Sequence, residues 1–515
     1  MPDTVSTQKE TLIVNAYSGD YRIDVLLPSA TARWNNGKSV GTSAEVTFSF
    51  MSNAPTYSQD SDKKGFSSFT DEQKVATRAI LDLISQQIGI TFKEVTDTDA
   101  SYGTMRFGNN AQGATSAGYA TYPDTSDLNT SGDVYINNQD ASNLSNVVPG
   151  TNSWATLVHE IGHAIGLKHP GNYNAGEPAS TTPDNFLAAA EDSEANTIMS
   201  YIKAPQQQER DFFAKYDLLA LKYLYGGKAY NADNTTYSYS DADGKILKLI
   251  NDTGGTDTID ASAVTIGVSI SLVAGSSSSV GKIADGSAAV NNLSIAYDAV
   301  IENLIGTKFS DTLIGNAINN RIVSGGGSDT VDGGAGFDTL VVNGSKASFA
   351  IQKNGDLVTA KNAASGDNLT ITNVERVQFS DSVVGFDISG NAGQTYRLYQ
   401  AAFDRKPDLT GLGYWINEMD KGASLQKVAT GFTQSAEFQT LYGNNPTNAT
   451  LLTNIYKNVL HREADPSGYD YWFKELSAGR ISAADTLASF ADSPENQAQV
   501  IGSIQNGIEF TPWLG

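Results

Sequence analysis

Three of the four histidines in the chain fall within one short segment, His159-Glu160-Ile161-Gly162-His163-Ala164-Ile165-Gly166-Leu167-Lys168-His169. His159 and His163 are spaced i, i+4, so on a helix they share one face about a turn apart and two imidazoles can hold one metal ion. Apolar Leu157, Ile161 and Ile165 would bury that helix. Gly166 then ends it, because glycine accepts a positive φ without penalty, and the chain can turn to bring His169 to the same ion. Three neutral imidazoles leave one position open for water, as a single catalytic zinc ion requires. Glu160 sits beside the first ligand and is free to take a proton from that water. The fourth histidine, His461, lies far downstream and is expected to be structural.

A framework must position these groups. Thr70 and Gln73 form a capping-box pattern at the start of a helix whose Ile80, Ile84 and Ile88 recur on one face, with Gly89 as its stop. Runs at 44–50, 104–107, 118–122 and 133–136 read as sheet strands. A second helix is expected over Ala214–Tyr225, ended by Gly226-Gly227.

The extended histidine motif is the metzincin metallopeptidase signature, and Ile198-Met199-Ser200-Tyr201 resembles the Met-turn of that group. Phe107-Gly108-Asn109, Gly118-Tyr119-Ala120, Gly132-Asp133-Val134 and Tyr216-Asp217-Leu218 resemble serralysin segments in the same order. The resemblance implies an α+β protease domain over 21–227, preceded by a flexible or pro-segment over 1–20. It implies Tyr201 as a fifth zinc ligand that moves to hydrogen-bond the oxyanion. It also implies a substrate strand lying along the sheet edge at Gly118–Tyr122, hence protein or peptide substrates.

From about 228 to 385 the chain is rich in Gly, Ser, Asn, Asp, Thr, Val and Ile, and it contains a repeat of nine. Units begin at Gly306, Gly315, Ser324 and Gly333, with Asp311, Asn320, Asp329 and Asp338 in sixth place and Leu313, Ile322, Val331 and Leu340 in eighth. The pattern resembles the RTX repeat, and Gly333–Val341 matches it fully. The resemblance implies a β-roll/β-sandwich domain whose parallel β-roll coils enclose Ca²⁺, with Gly325, Gly327, Gly334 and Gly336 supplying carbonyls and Asp311, Asp329 and Asp338 supplying carboxylates. By the same resemblance Asp252, Gly254 and Asp257 form an upstream calcium loop. Thr307-Lys308-Phe309 and Asn316-Ala317-Ile318 replace glycines, so few structural calcium ions are expected.

The last segment, 390–515, is expected to be all-α and duplicated. Tyr399, Arg405, Asp408, Gly411, Tyr414, Trp415 and Gly422 recur at an offset of 57 as Tyr456, Arg462, Asp465, Gly468, Tyr471, Trp472 and Gly479. It resembles a helical domain of uncharacterised function on secreted bacterial proteins. Two readings stand: a self-folding, export-compatible appendage, or an adhesion module that touches the cell envelope or surface layer.

The formal charge of −23 argues against nucleic acid as a partner, since phosphate binding needs clustered cations. No apolar run is long enough to span a bilayer. The absence of cysteine excludes disulfides and thiolate metal sites. Met1–Ser6 has no Sec-type pattern. RTX resemblance implies type I export from a Gram-negative cell, with Ile508-Glu509-Phe510 through Trp513-Leu514 as a weak terminal signal. The expected whole is a secreted, monomeric, multidomain zinc endopeptidase. The rival is a calcium-dependent secreted adhesion or surface-layer-associated protein whose protease site is vestigial or narrowly specific.

Overall fold

The structure is a computed structural model that describes residues 18–28, 32–114, 116–124, 129–171 and 186–513. Most of the expected pro-segment, through residue 17, and Leu514 of the terminal signal lie outside the described residues. The chain forms two compact units, 1–303 and 304–515.

The first unit is built on a five-stranded sheet. Its strands are β1 (Ala44–Phe50), β2 (Ile90–Glu94), β3 (Met105–Asn110), β4 (Gly118–Ala120) and β5 (Val134–Asn137), in the order β2-β1-β3-β5-β4. β1 runs parallel to β2 and β3, and β3 parallel to β5; β4 is antiparallel to β5 and forms the edge. Tyr119 anchors that edge. Its hydroxyl donates to Asp62 at 2.7 Å and accepts from Asn110 at 2.7 Å, and its ring stacks on Tyr135.

Helix α1 (Asp71–Gln87) starts where the capping pattern places it. Thr70 accepts from the Gln73 N–H, and Gln73 returns the bond to the Thr70 N–H. Ile80, Leu81 and Ile84 bury its apolar face. Helix α2 (Asn152–Ala164) carries the first two histidines, and α3 (Lys215–Tyr225) follows the Met-turn segment. Beyond α3 the unit continues as short strands, among them Ile246–Ile250 paired in parallel with Leu293–Ile295.

The second unit begins β-rich and ends helical. Three-residue strands pair in parallel eighteen residues apart, Leu313 with Val331 and Ile322 with Leu340. Those four side chains are almost fully buried, so each coil adds one apolar residue to a narrow core that no single coil could close. A meander of Phe349–Asn354, Leu357–Asn362 and Asn368–Thr372 extends one of these sheets. Ile508–Phe510 folds back as an antiparallel strand on Val383–Gly385 and buries Ile508 and Phe510.

The helices between 391 and 504 show the duplication in three dimensions. Asp408 and Asp465 each cap a helix by accepting the Gly411 and Gly468 N–H groups at 2.7 Å. Asp404 and His461 both occupy left-handed positions that end a helix, at φ 48° and 52°. Arg405 pairs with Glu437 and Arg462 with Glu495 at equivalent places. Among the described residues no helix is long and apolar enough to cross a membrane.

Candidate metal centre

Helix α2 presents His159 and His163 on one face, and the turn after Ala164 returns His169 to them. Gly166 makes that turn at φ 111°; a Cβ there would stand 2.4 Å from the Ala32 carbonyl oxygen, so no other residue fits. The Nε2 atoms of His159 and His163 each lie 3.0 Å from Nε2 of His169. The opposite ring nitrogens are committed: Nδ1 of His159 donates to the Ile198 carbonyl at 2.8 Å, and Nδ1 of His163 to the Leu167 carbonyl at 2.7 Å. The Nε2 atoms of His159 and His163 are therefore lone-pair acceptors directed at His169. At most one N–H, on His169, can serve these lone pairs, whereas a cation among them would serve all three rings at once. Burial pulls the His159 pKa down to about 4, and burial followed by the neighbouring histidines pulls His163 well below the usual range. Both are neutral at pH 7, as ligands must be. Among the described residues this is the one group of three or more His, Cys, Asp or Glu close enough to hold a metal ion.

Glu160 lies beside the triad, 5 % exposed, and its Oε2 is buried with no hydrogen-bond partner. Burial alone pushes its carboxyl up to about 8, and a cation held by the imidazoles would lower it again toward the ionised form that a proton acceptor needs. The room it occupies exists because Gly118 on the edge strand lacks a side chain: a Cβ there would come within 2.8 Å of Glu160 Cγ. Gly162 plays the same part underneath, where a Cβ would meet Met199 Sδ at 2.8 Å. Fully buried Met199 thus forms the floor under α2. The ring of Tyr201 stands 4.5 Å from that of His169 and 6.0 Å from that of His159, centroid to centroid.

Asp217, named from the sequence only as part of a serralysin-like segment and given no role, holds this floor in place. It is fully buried at the start of α3 and accepts from Thr197 Oγ1 at 2.5 Å, the Ile198 N–H at 2.8 Å and the Ala214 N–H at 2.8 Å. Ile198 in turn orients His159 through its carbonyl. The local signal was an acidic residue in the first turn of a helix, which alone reads as a dipole partner.

The residues expected to hold calcium fall into separate places. In the first unit Asp252 accepts the Gly254 N–H at 2.9 Å, and Asp257 accepts the Thr235 N–H at 2.7 Å. The Asp257 N–H is bound by Glu302, a residue the sequence reading missed. In the second unit Asp329 accepts the Asp311 N–H at 2.9 Å and Asp338 accepts the Asn320 N–H at 2.7 Å, each one coil back. Glu375 caps the last coil by accepting the Asp338 N–H. Gly325, Gly327, Gly334 and Gly336 all have positive φ, and a Cβ on Gly325 or Gly334 would meet the carbonyl oxygen of Thr307 or Asn316. Asp257, Asp329 and Asp338 each keep a buried Oδ2 with no partner. Burial pushes Asp329 and Asp338 up to about 7.

A mixed sheet with an antiparallel edge strand is crossed by a helix that gathers three imidazoles beside a buried glutamate, a donor set that can hold a metal ion next to a proton acceptor. Residues 35–213 match the model of metallo-peptidase family M12, and residues 214–416 match the peptidase M10 serralysin C-terminal model. Metalloprotease AprA of Pseudomonas entomophila is 32% identical over 328 residues, 59% of this chain and 65% of that protein. Serralysin G of Dickeya chrysanthemi is 32% identical over 56% of this chain and 63% of its own length, and serralysin of Photorhabdus luminescens 33% over 50% and 55%. The matched stretches thus span less than two thirds of these relatives. Over residues 35–416 the chain is similar in sequence to serralysin-type metalloproteases. Residues 391–442 and 429–500 match a domain of unknown function, DUF4214.

Proposed function

We propose that this protein is a secreted zinc-dependent endopeptidase that hydrolyses internal peptide bonds of proteins. The observation that carries this reading is the convergence of three imidazoles on one point beside the unpartnered Glu160 carboxylate. His159, His163 and His169 would hold the zinc, with Tyr201 as a further ligand. When bound, the ion supplies a Lewis acid for the scissile carbonyl and acidifies water. A substrate strand pairs with the free edge of β4, so backbone atoms, rather than a deep pocket alone, set its position. Glu160 takes the proton of the attacking water and returns it to the leaving amine. The Tyr201 hydroxyl donates to the oxyanion that develops. The serralysin-type matches favour this reading, and the adhesion alternative draws no support from them. Casein hydrolysis in calcium buffer is expected to stop when a zinc chelator is added and to return on adding Zn²⁺. Hydrolysis that persists in protein shown to be zinc-free would sink the reading.

The same proposal divides the chain into protease domain, calcium-binding β-roll over 228–385 and helical segment over 390–515. The fit to calcium rests on buried Oδ2 atoms of Asp257, Asp329 and Asp338 that lack partners, the latter two in coils whose Gly325, Gly327, Gly334 and Gly336 have positive φ. Like-charged buried carboxylates are costly until a cation joins them. Calcium is scarce inside cells and plentiful outside, so completion of the roll would follow export. Calorimetric titration of chelator-treated protein is expected to show a few binding events and a higher melting temperature. An Asp338→Ala variant should lose at least one of them. Absence of both binding heat and thermal shift would remove calcium from the proposal.

A further inference from the structure

Beside the histidine triad a cleft of about 360 Å³ opens between Ser116–Gly118 and the segment that follows Met199. Its wall includes His159, Glu160 and Tyr201, so a side chain next to the bond being cut can enter it. The same wall carries Glu194, Lys203 and Glu209. Lys203 Nζ lies 3.0 Å from Glu194 Oε1 and 2.9 Å from each oxygen of Glu209. Three carboxylate oxygens thus occupy its three N–H donors, and none is left for an anionic ligand. Arg210, the other cation in contact with this group, is 2 % exposed and directs its guanidinium at the carbonyls of Phe212, Phe213 and Glu194. Two carboxylates face one ammonium, and Glu194 Oε2 remains buried with no hydrogen-bond partner. Of the groups that line the cleft itself, the carboxylates of Glu194 and Glu209 outnumber the single cation, Lys203.

On the endopeptidase reading, we infer that this cleft selects substrates with a lysine or arginine side chain at a position adjoining the scissile bond. A ligand ammonium or guanidinium supplies the missing charge and the missing donors, whereas a glutamate there meets like charge in a partly desolvated wall. The selection is between substrates, so it is read as a ratio that leaves the chemistry itself out.

The test is a set of zinc-loaded assays on peptides carrying Lys, Leu or Glu at either position flanking the cleaved bond. We expect kcat/KM for Lys to exceed that for Glu by at least about 30-fold at one of the two positions. In the double variant Glu194→Gln/Glu209→Gln that ratio should fall to about 3-fold or less, with the Leu peptide still cleaved. Should the double variant fail to fold, Glu209→Gln alone, at a side chain 19 % exposed, is read the same way. Equal cleavage of Lys and Glu peptides at both positions, or a ratio unmoved by either variant, overturns the inference. Casein cleavage without charge preference sinks this inference alone; no cleavage of casein or of any peptide sinks the endopeptidase reading and this inference with it.

Discussion

Glu160→Gln is expected to lower casein-hydrolysing kcat/KM about 10³-fold while one zinc per chain stays bound. The size follows from what the carboxylate does in the structure, which is nothing structural. It has a buried Oε2 without a partner and sits in space left by Gly118. Glutamine fills the same space and leaves all three imidazoles in place, so metal content and melting temperature should barely move. What disappears is the group that accepts a proton from water. Gly118→Ala makes the complementary case. A Cβ at 2.8 Å from Glu160 Cγ displaces the carboxylate without removing it, and about a 10-fold loss in kcat with unchanged zinc content is expected. The measurement is turnover beside metal analysis on the same preparations. Glu160→Gln activity within 10-fold of wild type would show that some other group moves the proton.

Legibility from sequence tracked how local each interaction is. The triad was readable because its geometry lies within one helix and one turn, and Gly166 announces that turn. Helix α1 was readable because both halves of its cap, Thr70 and Gln73, are three residues apart. The eighteen-residue pairing of the coils followed from a repeat of nine, since every second unit must stack. Other features depend on partners brought together only by folding. Gly162 looks like an ordinary helix interruption until Met199 is found beneath it. Glu302 and Glu375 stand 45 and 37 residues from the aspartate N–H groups they bind. Ile508–Phe510 reads as the start of a weak terminal export signal, and it forms a paired strand because Val383–Gly385 offers an open edge far upstream. The charges around the cleft were equally hidden: Glu194, Lys203 and Glu209 are unremarkable surface residues until one ammonium is seen to serve two carboxylates.

Asp217→Ala is expected to weaken zinc binding by 10-fold or more and to lower stability by about 4 kcal/mol, although Asp217 is no part of the triad. Its carboxylate collects Thr197 Oγ1 and the N–H groups of Ile198 and Ala214. Burial raises its pKa to about 6, and the three hydrogen bonds oppose that rise, so at pH 7 the anion is the form they hold. Alanine leaves three buried donors without an acceptor, each costing about 1–3 kcal/mol. The damage is also directional. Ile198 loses its anchor, its carbonyl is the acceptor that fixes the His159 ring, and Met199 follows in the chain. A purely global defect would lower the melting temperature and leave zinc affinity unchanged below the transition. A positioning role weakens zinc affinity at temperatures where the variant is fully folded. Asp217→Asn separates the two further, because its carbonyl oxygen can keep one or two of the donors while its amide faces another; part of both losses should return. Zinc titration at 10 °C beside thermal melting decides the matter, and wild-type zinc affinity in a folded Asp217→Ala variant would exclude any role for this residue in ordering the metal ligands.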